Sequence, residues 1–324
     1  MDGVTDAPFR QIQAEIGHPA VVFTEFTAVE GLRAGATRLL NDFLFSEQER
    51  PVVAQLFGSD PDAFFIGAVI ASALGFDGID INMGCPAKNV IQRGAGAGLI
   101  LDPKRAAQII HQTKQGTSAW AEGISLSDAG VPETIQAAMA IGSRRMALPI
   151  SVKTRTGYGE PIINEWIPFL LEQQPAAITL HGRTLKQGYS GVADWQAIGA
   201  AARLTRASQT IFLGNGDVNS LSDAFDKIKE YATDGVLVGR ATMGNPWFFL
   251  ERDAPSKERL ETARRHAQLH LACFGEPGFV RIRKHLLDYT KGVDNSKELR
   301  GRLARVSNLD QIEELLSEHD TVTA

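Results

Sequence analysis

Short apolar runs alternate with amphipathic stretches from about residue 20 to residue 240, and this constrains the fold more than anything else in the chain. The runs fall at 21–24, 52–57, 78–82, 150–154, 177–181, 210–214 and 235–239. Helical patterns separate them, at 62–73, 103–114, 162–172, 195–203 and 220–231. A parallel neighbour is reached only by a crossover, usually helical, so this alternation predicts an α/β fold built on a parallel sheet. Seven runs are visible where a (β/α)8 TIM barrel has eight. Residues Asp2 to Pro8 read as a loop entering a helix. The expectation is therefore a TIM barrel whose first strand is absent from this chain, with an open seven-stranded sheet as the alternative. Past Pro255 the strand signal stops, and helices are predicted near 256–273, 279–291, 295–306 and 308–318. Residues 1–254 are expected to form the barrel and 255–324 a helical bundle. The long connection 117–148 reads as an inserted helical elaboration.

Polar residues of varied chemistry stand at the ends of these runs. Glu25 and Gln55 come first, then Asn82 and Cys85, Lys153 and Arg155, His181 and Arg183, Asn215 and Asp217, and finally Gly239 and Arg240. In a parallel barrel the carboxyl ends of all strands meet on one face, where active sites lie. A single polar strand end is usually structural; a polar residue at every strand end points to a site. Gly214-Asn215-Gly216-Asp217 and Gly239-Arg240 occupy the last two turns, where barrels commonly bind phosphate. Glycines let backbone N–H groups approach an anion there, and Arg240 adds charge. A ligand anchored by its phosphate at that point and reaching Lys153, Gln55 and Cys85 has the length of a flavin mononucleotide. Gln55 suits the pyrimidine edge of the ring, and Lys153 the negative charge that reduction places on it.

Cys85 is one of only two cysteines, with Cys273, so a disulfide framework and a cysteine-rich metal site are both excluded. Two cysteines and no leader-like opening fit a cytoplasmic protein, and the longest apolar stretch, 63–76, is too short for a membrane span. A net charge of −5 argues at first against a nucleic-acid partner. The charge is uneven, however: residues 255–306 carry 12 Lys and Arg against 6 Asp and Glu. A basic segment on an acidic body makes a polyanionic partner plausible.

The motifs Met1-Asp2-Gly3-Val4-Thr5-Asp6, Asn82-Met83-Gly84-Cys85-Pro86, Ser151-Val152-Lys153-Thr154-Arg155, His181-Gly182-Arg183-Thr184, Asn215-Gly216-Asp217 and Gly239-Arg240 resemble those of the tRNA-dihydrouridine synthases. So does Arg281-Ile282-Arg283-Lys284-His285 with Tyr289 in the helical tail. The resemblance implies an FMN-dependent barrel that reduces uridine in tRNA with NADPH as electron donor; a monomer is expected. It assigns FMN binding to Met1, Asp2, Gln55, Lys153, His181, Asn215, Gly216, Asp217, Gly239 and Arg240. Cys85 becomes the proton donor to carbon 5 of the uracil, carbon 6 having received hydride, and Asn82 orients the base. A thiol with an ordinary pKa of roughly 8.5 is mostly protonated at neutral pH and suits that task. Lys88, Arg93, Arg155, Arg183, Arg281, Arg283 and Lys284 are the candidate tRNA contacts. Two rivals share some of these features. A flavin-dependent dehydrogenase of a free pyrimidine has no need of a basic helical tail, and a non-catalytic RNA-binding barrel has no need of Cys85 and Lys153.

Overall fold

Seven strands form at the apolar runs: β1 (Val22–Ala28), β2 (Val52–Phe57), β3 (Gly78–Met83), β4 (Ile150–Arg155), β5 (Ala177–His181), β6 (Ile211–Asn215) and β7 (Gly235–Leu237). They come from a computed structural model that describes residues 1–293 and 296–323, the side chains of 320–323 excepted. All neighbouring pairs are parallel and follow chain order, so the sheet is the open, barrel-type one with β1 and β7 as its edges. Two expectations shift here. β1 runs on to Ala28, which leaves Glu25 inside a strand, and β7 stops at Leu237, before Gly239.

Alternation along the strands sorts the sheet's two faces. Ile79, Ile81, Val152, Thr154, Ile178, Leu180 and Phe212 are buried on one parity. On that side the helices Pro61–Leu74 and Pro103–Ala121 pack together, close enough that a Cβ on Gly116 would lie 2.5 Å from the Phe65 carbonyl oxygen. Only glycine fits that crossing. The opposite parity carries Gln55, Asp80, Asn82, Lys153, Arg155, Thr179, His181 and Asn215. Helix starts follow from sequence: Asp60, Asp102, Asp194 and Ser220 each accept a backbone N–H of the first turn, and proline follows directly after Asp60 and Asp102.

The chain divides into two compact units, and the division does not run at 254/255. The first comprises Met1, 21–45 and 50–238; the second comprises 2–20, 46–49 and 239–324. In the second, the helix Ser256–Gly278 runs longer than the periodicity predicts and is interrupted at Gly275, where φ is 65°. The expected helix 279–291 opens as a 3-10 turn, Phe279–Ile282, before the α-helix Arg283–Tyr289. Ser296–Leu303 and Leu309–Thr323 follow; Asn295, where a helix start was expected, lies outside the described residues. Leu260, Ala263 and Ala267 meet Ile282, Leu286 and Tyr289 in a core that also takes in Leu299, Leu303, Ile312 and Leu316. The three-and-four spacing of these positions gives each helix its apolar stripe.

The elaboration 117–148 is helical only in part. The helix Pro103–Ala121 runs into it, and Glu133–Ala138 is the one further helix among its residues. The remainder is loop stapled around the buried Trp120. Its indole N–H donates to the Arg144 carbonyl at 3.0 Å, and the Arg145 guanidinium lies 3.5 Å from its ring centroid.

Candidate active site

Parallel register sets the polar residues of the first unit side by side: Gln55 beside Asp80, Asn82 beside Lys153, Arg155 beside His181, and His181 beside Asn215. A buried chain of hydrogen bonds links them. Gln55 Nε2 donates to Asp80 Oδ2 at 2.7 Å, while Ser151 Oγ donates to Asp80 Oδ1 at 2.6 Å. Asn82 Nδ2 donates to Gln55 Oε1 at 3.0 Å. The other end of the Asn82 amide accepts the backbone N–H groups of Gly84 (3.0 Å) and Cys85 (2.9 Å). Asn82 therefore shapes the turn that carries the thiol. Cys85 is buried among Val90 and Ala95, with Phe26 and Phe57 edge to face nearby.

Lys153 projects from β4 next to this network. Among the described residues it forms no ion pair within 4.0 Å and no hydrogen bond. Desolvation lowers its pKa to about 8, opposed by the charge of Asp80. Desolvation also raises the Asp80 carboxyl to about 6, against the two hydrogen bonds it accepts. The site thus holds a largely cationic ammonium at neutral pH, on which the charge of the buried Asp80 carboxylate acts without a direct ion pair. Sequence reasoning overlooked Asp80 and Ser151. The signal was there, since Asp80 alternates with Ile79 and Ile81 on the parity of Asn82.

Arg155 and Arg183, expected as tRNA contacts, are buried and occupied by the protein itself. Arg155 donates to the carbonyls of Gly84 (2.7 Å), Thr184 (3.1 Å) and Gly188 (3.0 Å). Arg183 pairs with Asp217 at 2.6 Å and donates to the Gly191 carbonyl at 2.7 Å. Its Nη1 also lies 3.3 Å from His181 Nε2. Burial, followed by the charges of Lys153, Arg155 and Arg183, holds His181 neutral. The Asp217 carboxylate takes the Ala193 N–H as well, and the Asn215 amide donates to the Leu237 carbonyl. Gly216 has a φ of 124°, and a Cβ there would come within 2.6 Å of Ala193 and 3.1 Å of the His181 ring. Only a glycine turns at this point. Lys88, the first residue of the short helix Lys88–Ile91 that follows the cysteine turn, and Arg93, just past its end, are exposed.

In the second unit, Arg240 opens a 3-10 turn after Gly239 and is exposed. Arg281 is exposed and Lys284 half-buried. Arg283 departs from its expected role, because its guanidinium caps the carbonyls of Val306 (2.7 Å) and Arg305 (3.3 Å). The same unit buries a histidine cluster. Asp6, His266 and His285 bring ligand-type atoms within 4.8 Å of one another. Both His285 nitrogens, His266 Nε2 and His270 Nδ1 have no hydrogen-bond partner. The charges of Lys284, Arg10 and Arg281 already act on the single Asp6 carboxylate, and this works against a further cation there.

A parallel barrel-type sheet with its polar residues gathered along one face defines the class of α/β barrel proteins whose ligands bind at strand ends. Within that class the sequence matches the dihydrouridine synthase (Dus) family over residues 1–119 and 130–323, and the chain belongs to this family. The gap, 120–129, runs from the end of the helix Pro103–Ala121 into the loop stapled by Trp120. A protein of Staphylococcus aureus (strain COL) named "Probable tRNA-dihydrouridine synthase" is 34% identical over 335 residues, covering 99% of this chain and 91% of that one. The "Probable tRNA-dihydrouridine synthase 2" of Bacillus subtilis (strain 168) is 31% identical, covering 99% and 92%. Among solved structures, a DHODH from Eimeria tenella in complex with ferulenol aligns with a TM-score of 0.45 and 14% identity, over 69% of this chain and 61% of that one.

Proposed function

We propose that this protein reduces uridine in tRNA to 5,6-dihydrouridine, with FMN as its flavin and NADPH as electron donor. The observation that carries the chemistry is the Lys153 ammonium, in no direct ion pair among the described residues and next in register to Asn82, whose turn fixes Cys85. A bound flavin supplies the hydride. The residues fit such a group: a cation held in no direct ion pair suits an electron-rich ring edge, and the Gly216 turn, where Ala193 and the His181 ring leave no space for a Cβ, keeps its backbone bare as anion binding by N–H groups requires. Gln55 would reach the ring with the hydrogen-bonding capacity it has left after Asp80 and Asn82. Met1, Asp2, Gly239 and Arg240 keep their expected roles through the family pattern alone. Cys85 holds the proton destined for carbon 5 of the uracil, and Asn82 positions the thiol through its turn. The target base must leave its stack to present carbons 5 and 6.

The test is direct. Protein reconstituted with FMN and supplied with NADPH should add two hydrogens to a uridine of an unmodified tRNA transcript, read by mass spectrometry of its nucleosides. Absent flavin absorbance after reconstitution would overturn the cofactor. Flavin bound and reduced with no dihydrouridine formed would overturn the substrate and return the free-pyrimidine reading.

The basic helices supply the grip on the tRNA backbone in this proposal. Replacing Arg281 and Lys284 with alanine should flatten the plot of log affinity against log salt by up to about two units. Arg283 is left intact, since its loss would uncap the carbonyls of Arg305 and Val306. An unchanged slope would move the grip to Lys88 and Arg93.

A further inference from the structure

Asp80 belongs to the polar network of the first unit, yet the chemistry above gives it no task. It is fully buried on β3, between β2 and β4, and each of its oxygens accepts one hydrogen bond. Gln55 Nε2 donates to Oδ2 at 2.7 Å and Ser151 Oγ to Oδ1 at 2.6 Å. These two bonds alone do not call for a carboxylate. An asparagine in the same place could accept from Gln55 with its oxygen and donate to the Ser151 hydroxyl with its nitrogen, and it would carry no charge into the interior. The chain of amides does not need the carboxylate for its direction either. The backbone N–H groups of Gly84 and Cys85 can only donate, so they fix Asn82 Oδ1 toward the turn, and Asn82 Nδ2 in turn fixes Gln55 Oε1. What sets Asp80 apart from asparagine here is its charge.

A cation lies at hand for that charge. In the parallel register Asp80 stands opposite Ser151 and Lys153 opposite Asn82, all on the parity that carries the site. Asp80 and Lys153 nonetheless form no ion pair within 4.0 Å, both Asp80 oxygens being engaged by Gln55 and Ser151. We propose that Asp80 is the positioning residue that keeps Lys153 charged at neutral pH while leaving the N–H donors of its ammonium to the ligand. This rests on the reading of the site as a flavin-dependent tRNA uridine reductase, in which Lys153 meets the electron-rich edge of the ring. A direct ion pair would keep the charge but spend donors on the protein. A buried lysine with no carboxylate nearby would keep its donors but lose its proton. A carboxylate held by other partners, close by on the same face, avoids both losses. The opposing influences are few: burial and the charge of Arg155 favour the neutral amine, and Asp80 acts against them. Cys85 adds negative charge only once its thiol ionises, Gln55 on β2 is uncharged, and His181 on β5 is held neutral.

Asp80→Asn is compared with the unchanged protein, both as full chains and first without flavin. Lysine is isotope-labelled at Cε, and the nuclear magnetic resonance signal of Lys153 is assigned by its loss in Lys153→Met. In the unchanged protein this signal should titrate at about pH 8, with a second, smaller inflection at about pH 6 where Asp80 takes its proton. In Asp80→Asn the main midpoint should fall by about one pH unit, a tenfold change in the ratio of ammonium to amine, and the smaller inflection should vanish. With FMN bound, the plot of its midpoint potential against pH should bend where Lys153 titrates, and the bend should move to lower pH in the variant. An unmoved Lys153 midpoint in folded Asp80→Asn overturns the proposal and leaves Asp80 a hydrogen-bonding group of the core. So does an unchanged protein whose Lys153 signal lacks the second inflection, a result that needs no variant at position 80. If the unchanged protein binds no FMN, it is the functional reading that fails, and the lysine signal still decides whether Asp80 holds the charge.

Discussion

Cys85→Ala protein, loaded with FMN and reduced beforehand, is expected to form dihydrouridine in tRNA some 10²–10⁴ times more slowly than the unchanged enzyme, the usual loss for a missing general acid. Flavin binding and its reduction by NADPH should persist. The geometry makes the substitution clean. Residue 85 is anchored through its backbone, by its N–H on Asn82 Oδ1 and by its carbonyl, which accepts the Ala97 N–H at 3.2 Å. Neither depends on the sulfur. The methyl of alanine remains compatible with the apolar neighbours Val90 and Ala95. Cys85→Ser should stay slow, since a hydroxyl is a far weaker acid in a site of the same shape. Single-turnover assays of the pre-reduced variants separate the proton-transfer step from flavin reduction. Unimpaired turnover in Cys85→Ala would make the residue a small apolar filler of its turn.

Asn82→Ala is the informative contrast. It removes the acceptor of two backbone N–H groups and the donor to Gln55 together, so it disturbs the turn, the thiol and the buried network at once. A loss there would not isolate one role, whereas the loss in Cys85→Ala would.

Most of the first unit was legible in the sequence because strand and helix signals there are local. Val52–Phe57 and Ala177–His181 are strands over the very residues whose apolar runs predicted them. Their parallel order follows from the crossover helices, which leave few other topologies. Candidate residues at the strand ends were legible for the same reason. Once the strands are parallel, register alone brings Asn82 beside Lys153 and His181 beside Asn215.

Less legible was anything decided by long-range contacts. Arg155 and Arg183 look like surface cations in sequence, and only the folded loop shows their guanidinia enclosed by backbone carbonyls. Arg283 sits in a basic run with Arg281 and Lys284, yet a helix end more than twenty residues away claims it. The unit boundary failed to show because residues 2–20 and 46–49 join the C-terminal helices through side chains such as Phe9, whose ring lies 5.5 Å from that of His285. Arg10 and Glu49 form a buried ion pair in the same unit, 39 positions apart. Cutting the chain at 255 would strip these segments of their partners, so point substitutions test the basic helices better than truncation.

The histidine cluster was not anticipated at all, and it carries the second large effect. Acidification from about pH 7.5 to about pH 5.5 should destabilise the protein by about 2 kcal/mol. Burial holds His266 well below its ordinary pKa, lowers His270, and lowers His285 to about 3, with the charge of Lys284 adding to each. His181 in the first unit is depressed in the same direction. A histidine that stays neutral when folded but protonates when unfolded stabilises the fold above its unfolded pKa of about 6.5. That contribution is lost as pH falls toward the folded value. One unit below 6.5, each such residue costs about 1.4 kcal/mol. Carboxyls oppose this. Asp80, raised to about 6, takes up a proton in the folded state first and offsets about 1 kcal/mol at most, and Asp6 and Glu49, both raised by burial, act in the same direction. Thermal unfolding followed by circular dichroism at the two pH values should therefore show a clearly lower midpoint in acid. His285→Gln should shrink that difference while His181 keeps its share. Equal midpoints at both pH values would mean that the cluster takes up protons where it stands, and that these rings are not held neutral by burial.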